Sequence, residues 1–145
     1  MQLLLQRVSY ARVEVAGDSA GEIDRGLLVF AGLEQTDTQE TCDKAAARLI
    51  NYRVFQDSDG KMNASLQQVG GALLLVSQFT LAADTRKGLR PSFSSAMPPV
   101  SAKALFDYFV EQCKKTGVPV ATGVFGADMQ VTLQNDGPVT FLLEV

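Results

Sequence analysis

The chain has 145 residues and a formal net charge of −3, with 46% hydrophobic and 20% charged residues. That balance describes one soluble globular domain with enough chain for a core, and it excludes a disordered tail; the longest apolar runs, Ala72 to Val76 and Gly26 to Leu33, are strand-sized and too short to span a membrane. The acidic balance excludes a grip on nucleic acid by overall charge, so any RNA contact has to be local.

In chain order, Leu3 to Val8 and Ala11 to Val15 alternate, and the second segment ends at Gly17-Asp18, which predicts a strand pair. No basic leader with a small-residue cleavage site precedes them, so the expected compartment is the cytoplasm. Gly26 to Leu33 is a continuously apolar strand, expected to be buried on both faces. Thr36 with Gln39 three residues on resembles a capping box, and Cys42, Ala45, Ala46, Leu49 and Ile50 recur at helical spacing. Arg53 to Gln56 reads as a short strand, Asp57-Ser58-Asp59-Gly60 as a hairpin turn, and Ala72 to Phe79 as a strong strand opened by Gly70-Gly71. Residues 82–99 turn small, charged and proline-rich, the composition of a long surface loop. A second helix follows Pro98-Pro99, with Ala102, Leu105, Phe106, Phe109, Val110 and Cys113 on one stripe, Lys114 and Lys115 in its last turn and Gly117 beyond it. Pro119 to Val124, Met129 to Leu133 and Val139 to Val145 close the chain as strands, the last two joined through Asn135-Asp136-Gly137-Pro138. The expectation is a single α+β domain, with mostly antiparallel sheets forming a barrel-like β layer and two packed helices.

The chain contains no histidine, so its chemistry cannot use the commonest general base. Cys42 and Cys113 fall on apolar helix faces, where free thiols are small buried hydrophobes, and neither a disulfide nor a metal pair is expected. Asp57-Ser58-Asp59-Gly60 starts like a calcium loop, but no glutamate closes the ligand series. No metal and no cofactor are predicted.

Ser77-Gln78-Phe79-Thr80-Leu81 lies at a strand exit, where hydroxyls either serve as nucleophiles or bond the local backbone. Arg86, Lys87 and Arg90, with Phe93 behind them, form the only dense basic cluster, open to a solvated-loop reading or to phosphate contact. Gly137-Pro138 reads as a plain turn or, with no side chain on its first residue, as a rigid corner presenting bare carbonyls to a ligand. Arg7 is a guanidinium clamp for those carbonyls or an ordinary strand arginine. Met129 fits a soft ligand pocket or the core.

Together with Ala82 to Gly88, Arg90-Pro91-Ser92-Phe93, Phe125 to Val131 and Asn135 to Thr140, the Ser77–Leu81 motif closely resembles the D-aminoacyl-tRNA deacylases, and the likeness runs in order from Gln6-Arg7-Val8 almost to Val145. The resemblance implies hydrolysis of the ester joining a D-amino acid to the 3′ end of tRNA, by a homodimer with sites at its interface and no membrane partner. It implies a cis Gly137-Pro138 pair that reaches into the partner's site and rejects L-residues. A steric filter of this kind cannot exclude glycine, so glycyl-tRNA is an expected second substrate. The site residues it implies are Phe79, through its backbone N–H, with Gln78, Thr80 and Ser77, then Gly137, Pro138 and Arg7 at the filter, and Met129, Arg86 and Lys87 toward the substrate. The terminal 2′-hydroxyl of the tRNA then helps to activate water, and Thr80 positions rather than attacks because no base stands beside it.

Two other classes compete. A non-catalytic tRNA-binding module would use the same basic loop without releasing amino acid. A general esterase would need its own nucleophile and base, and the missing histidine and the absence of a Gly-x-Ser-x-Gly elbow weigh against it.

Overall fold

The computed structural model describes residues 1–145. Its framework is one mixed sheet built on the strand β1 (Gln2–Val15), which pairs antiparallel with β2 (Asp18–Ile23) and β3 (Gly26–Gly32) along one edge and with β8 (Gln130–Glu144) along the other. β6 (Ala72–Ser77) joins β3 in parallel and β7 (Val120–Thr122) joins β6 in parallel. Parallel neighbours need crossovers, and the helices α1 (Gln39–Asn51) and α2 (Pro99–Lys115) supply them. β2 then folds against β7 and nearly closes the sheet into a barrel. A Cβ on Gly21 would overlap the Thr122 carbonyl, so a glycine is what lets these two strands approach.

β3 is buried on both faces, as its continuous apolar run predicts, and β6 beside it is buried on both faces as well. Leu27, Val29, Leu73 and Leu75 face the helices, whereas Leu28, Leu74 and Val76 fill the barrel with Val8, Ala11, Val13 and Ile23. The helix-facing core also takes the predicted stripes, Cys42 to Ile50 on α1 and Ala102 to Cys113 on α2. Both cysteines are free and buried, and burial pushes each thiol up to about 12.

Several sequence expectations are corrected. Leu3 to Val8 and Ala11 to Val15 are one strand, not a pair; the hairpin partner is the polar β2, reached through Ala16 and Gly17, both at positive φ. The cap of α1 is Thr38 with Thr41, two residues later than Thr36 with Gln39 suggests. β6 ends at Ser77, and Phe79–Ala82 forms a 3-10 turn. Asp57 does turn the hairpin between β4 (Arg53–Gln56) and β5 (Met62–Ser65), its carboxylate accepting the Asp59 and Lys61 N–H groups at 2.9 Å each. Those bonds hold its pKa below the usual carboxylate range.

The largest correction concerns the C-terminus. Asn135-Asp136-Gly137-Pro138 does not join two strands, because β8 runs through it as one strand along β1. Gln6 faces Thr140 and Val8 faces Asn135, so a step of two residues on β1 spans five on β8 and the surplus bows out as a bulge. The next step, Val8 to Tyr10 against Asn135 to Gln134, leaves one surplus residue on β1. Each strand thus gains an odd number of residues at the same level, and each exchanges the face it buries. Leu3 and Leu5 serve the helix side while Ala11 and Val13 serve the barrel; Val139 and Leu143 serve the helix side while Met129, Val131 and Leu133 pack against the barrel cluster. Proline is tolerated in this strand because β8 has no partner on its outer edge and the residue lies in the bulge.

Gly26 tests the packing of the parallel pair, since a Cβ there would overlap the Ala72 carbonyl opposite it. Gly26→Ala is expected to lower unfolding free energy by about 1–3 kcal/mol, the usual cost of overpacking, with the denaturant slope unchanged. Chemical denaturation checks it.

Candidate functional site

The strand β6 delivers the Ser77–Leu81 motif to the wall of a cleft of ≈ 670 Å³. Pairing of Ala31 with Ser77 ends the parallel ladder, and the Gln78 N–H donates to the Ala31 carbonyl at 2.8 Å, which fixes the turn against β3. The turn closes on itself through Leu81 N–H to Gln78 O at 3.2 Å and Ala83 N–H to Thr80 O at 3.2 Å; neither bond uses the Phe79 N–H. A Cβ on Gly32 would come within 2.8 Å of Leu81 Cβ, so the end of β3 must be bare for the turn to seat.

Ser77, Gln78 and Phe79 line the cleft with Met129, Phe93 and Phe125, and no ionisable side chain lines it. Gln78 Nε2 donates to Thr80 Oγ1 at 2.6 Å, which holds the hydroxyl; neither residue has a base or carboxylate within hydrogen-bond reach. Phe79 is largely exposed and its ring leans on Phe93, with centroids 5.0 Å apart. Met129 answers to both of its sequence readings: it packs on the barrel cluster and lines the cleft, and a Cβ on Gly123 would meet its Sδ at 2.6 Å. This arrangement can bind an apolar body and polarise a carbonyl, but it holds no group of its own suited to take a proton near neutral pH.

The bulge forms a second, separate feature. Asp136, Gly137 and Pro138 are exposed, the Gly137–Pro138 bond is cis, and Gly137 has φ +154°, where a Cβ would press on Val139 N at 2.7 Å and Val139 Cγ2 at 2.6 Å. Two side chains brace it. Arg7 is buried, and its Nε donates to the Asp136 carbonyl at 2.8 Å with Asp136 Oδ2 at 3.3 Å, while Nη1 donates to the Val54 carbonyl at 2.7 Å. It therefore clamps the carbonyl before Gly137, not those of the Gly-Pro pair, and it is not an exposed strand arginine. Asn135 bridges the neck: its Oδ1 accepts the Val139 N–H at 2.7 Å, and its Nδ2 donates to the Val139 carbonyl at 3.2 Å and to Thr140 Oγ1 at 3.1 Å. Sequence reasoning did not single out Asn135 or Asp136 as braces; the signal was the bonding of Asn and Asp side chains to nearby backbone.

Of the basic cluster, Arg86 is not free. Its Nε and Nη2 hold the Asp84 carboxylate at 2.9 and 2.7 Å, an arrangement that drives the Asp84 pKa far below the usual carboxylate range. Lys87 and Arg90 are exposed and carry no such bond.

Residues 4–144 match the family model described as D-Tyr-tRNA(Tyr) deacylase. The chain is 62% identical over 145 residues, all of both chains, to the D-aminoacyl-tRNA deacylase of Pseudomonas putida (strain W619). It is 58% identical over 143 residues, 99% of both chains, to the protein of the same name from Saccharophagus degradans. A solved structure described as c-Myc DNA Unwinding Element Binding Protein superposes with a TM-score of 0.95 at 40% identity, covering 100% of this chain and 99% of that one. One described as a probable eukaryotic D-amino acid tRNA deacylase superposes at 0.83 and 19% identity over 99% of this chain and 98% of that one, a likeness of fold.

Asn135→Ala would leave the Val139 N–H without its acceptor, a local cost of about 1–3 kcal/mol. Amide exchange at Val139 is expected to quicken about ten- to a hundredfold, while Leu3 and Leu5 keep their protection.

Proposed function

Because the chain belongs to the D-Tyr-tRNA(Tyr) deacylase family, and is a hydrolase of the ester bond in D-aminoacyl-tRNA, we propose that the Gly137–Pro138 projection of one copy enters the cleft of a second and there rejects L-aminoacyl esters. One observation carries this reading. The cleft that holds the Ser77–Leu81 motif contains neither Gly137 nor Pro138, and Gly137 lines a different, smaller pocket with Arg7 and Asp136. A filter made from that pair has to come from another copy of the chain, so the working form is a homodimer.

In the reaction, water attacks the ester carbonyl carbon, charge gathers on the carbonyl oxygen, the bond to the ribose oxygen breaks and that oxygen leaves with a proton. The backbone N–H of Phe79 serves as the oxyanion donor, a role worth several kcal/mol in comparable sites. With no ionisable side chain in the cleft, the 2′-hydroxyl of the terminal adenosine assists the water. Gln78 holds Thr80, and Thr80 and Ser77 position the substrate; Met129 lines the adenosine end. The projection occupies the side of the α-carbon that an L side chain needs. Glycine has no side chain to clash, so glycyl-tRNA passes the filter as well. The two buried free thiols fit a reducing compartment, and the cytoplasm is the proposed place of work.

The experiment is hydrolysis of matched D-tyrosyl-, L-tyrosyl- and glycyl-tRNA by the purified protein. Loss of the D and glycyl esters with the L ester spared is expected; equal loss of all three would remove the filter. Gly137→Ala, whose methyl group would press on Val139, is expected to lower D-ester turnover at least about tenfold while sedimentation still reports a dimer. Wild-type turnover would refute the assignment.

Thr80→Ala removes one positioning hydroxyl and is expected to cost no more than about tenfold in kcat. Retained turnover excludes a covalent threonine, whereas complete loss in a folded dimer would revive it.

A further inference from the structure

Between the Phe79–Ala82 turn and Phe93 the chain leaves the body as a small hairpin. Asp84 and Ser92 exchange both backbone bonds, Asp84 N–H to Ser92 O at 2.8 Å and Ser92 N–H to Asp84 O at 3.0 Å, and close residues 85–91 into a loop. The loop is braced from within. The Asp84 carboxylate accepts the Arg86 N–H at 3.0 Å as well as the two guanidinium bonds, and Gly88 turns the tip at φ +71°. Leu89, beside it, is 106% exposed, so the tip rests on nothing and projects into solvent.

The charge on this projection is unlike that of the remaining chain. Three cations face one carboxylate within it, in a protein whose formal net charge is −3. Lys44, Lys103 and Lys114 are each neutralised by a carboxylate on their own helix; Lys87 and Arg90 enter no ion pair, and the other cations that enter none, Arg25, Arg48, Arg53, Lys61 and Lys115, are scattered, no two within four residues of each other. The hairpin's legs are rooted at the cleft: one continues from the turn that carries Phe79, and the other runs into Phe93, which lines the cleft and touches the Phe79 ring. A ligand whose end lies in the cleft and whose body continues outward passes this loop.

We propose that the 84–92 hairpin is a phosphate clamp for the acceptor end of tRNA, in which Lys87 and Arg90 contact backbone phosphates and Arg86 is a positioning residue that stiffens the loop through Asp84. The inference rests on the placement of the ester in this cleft, and it assigns to the loop the part of recognition that lies outside it. Phosphate contacts position a nucleic acid and make its binding salt-dependent, each adding about one to the slope of log affinity against log salt.

The test compares D-tyrosyl-tRNA with D-tyrosyl-adenosine, an ester too short to reach the hairpin. For the double variant Lys87→Ala/Arg90→Ala, KM for the tRNA ester is expected to rise about tenfold or more with kcat held, and the salt slope of kcat/KM to fall by about two. Hydrolysis of the adenosine ester by the same variant should proceed at the wild-type kcat/KM, a readout that a merely structural role would move. Lys44→Ala on α1, with an equal change of charge per residue, should keep the wild-type slope. A double variant with wild-type KM and slope on the tRNA ester overturns the clamp alone; equal losses on both esters overturn it in favour of a structural role. A wild-type protein inert toward both esters would overturn the cleft assignment, and the clamp with it.

Discussion

A guanidinium taken out of water has to meet acceptors, and removing one partner of such a group costs about 3–5 kcal/mol. Arg7, only 6% exposed, finds its acceptors on two other segments, the Val54 carbonyl of β4 and the Asp136 carbonyl of the bulge. That requirement fixes the bulge against β1 at the level where both strands exchange the faces they bury. Above and below this level the same two strands serve different cores, one under the helices and one inside the barrel. The projection is therefore rigid because it is part of the fold's main joint, held by Arg7 on one side and by Asn135 across its neck. A surface loop of the same length would have to gain that order from its ligand.

The cleft takes the opposite approach to charge. Its polar groups are backbone atoms, a serine hydroxyl and an amide, all neutral, and the turn that presents them is fixed by bonds to β3 and by the bare Gly32. Preorganised neutral donors suit a developing oxyanion because they need not reorient as charge appears. They include no group suited to take a proton near neutral pH. The two features are in this way built differently: one is a braced bulge of fixed shape, the other a strand end with fixed hydrogen-bond geometry.

Much of this was legible in the chain. The continuous apolar run of β3 marks a strand buried on both faces, that of β6 marks a strong strand, and the stripes of α1 and α2 mark the helix side of the core, because burial leaves its pattern in the sequence. The motif at the end of β6 was legible as a strand exit, and its neighbours carried the family likeness. What escaped has a common cause. β2 is polar, with only Ile23 buried, since one glycine and not an apolar face lets it close on β7. β8 looked like two strands because proline and glycine ordinarily end them, and only the pairing with β1 reveals that they lie inside a bulge. Arg7 was ambiguous for a similar reason: its acceptors lie 47 and 129 residues away along the chain. The partnership of Arg86 with Asp84 was also invisible to composition, which counts charges without pairing them.

The bulge also separates what the fold demands from what it leaves free, and the separation can be put in terms of insertions and deletions. The fold requires only that the surplus on β8 be odd, so that Val139 and Leu143 return to the helix side. One surplus residue would satisfy that phase rule as well as three. Loss of two residues from the bulge leaves both cores correctly filled but shortens the projection, whereas loss of one turns the strand's end inside out. Changes of length at this point can thus go in steps of two without unfolding the barrel, and the two residues beyond the minimum lengthen the tip without serving the sheet.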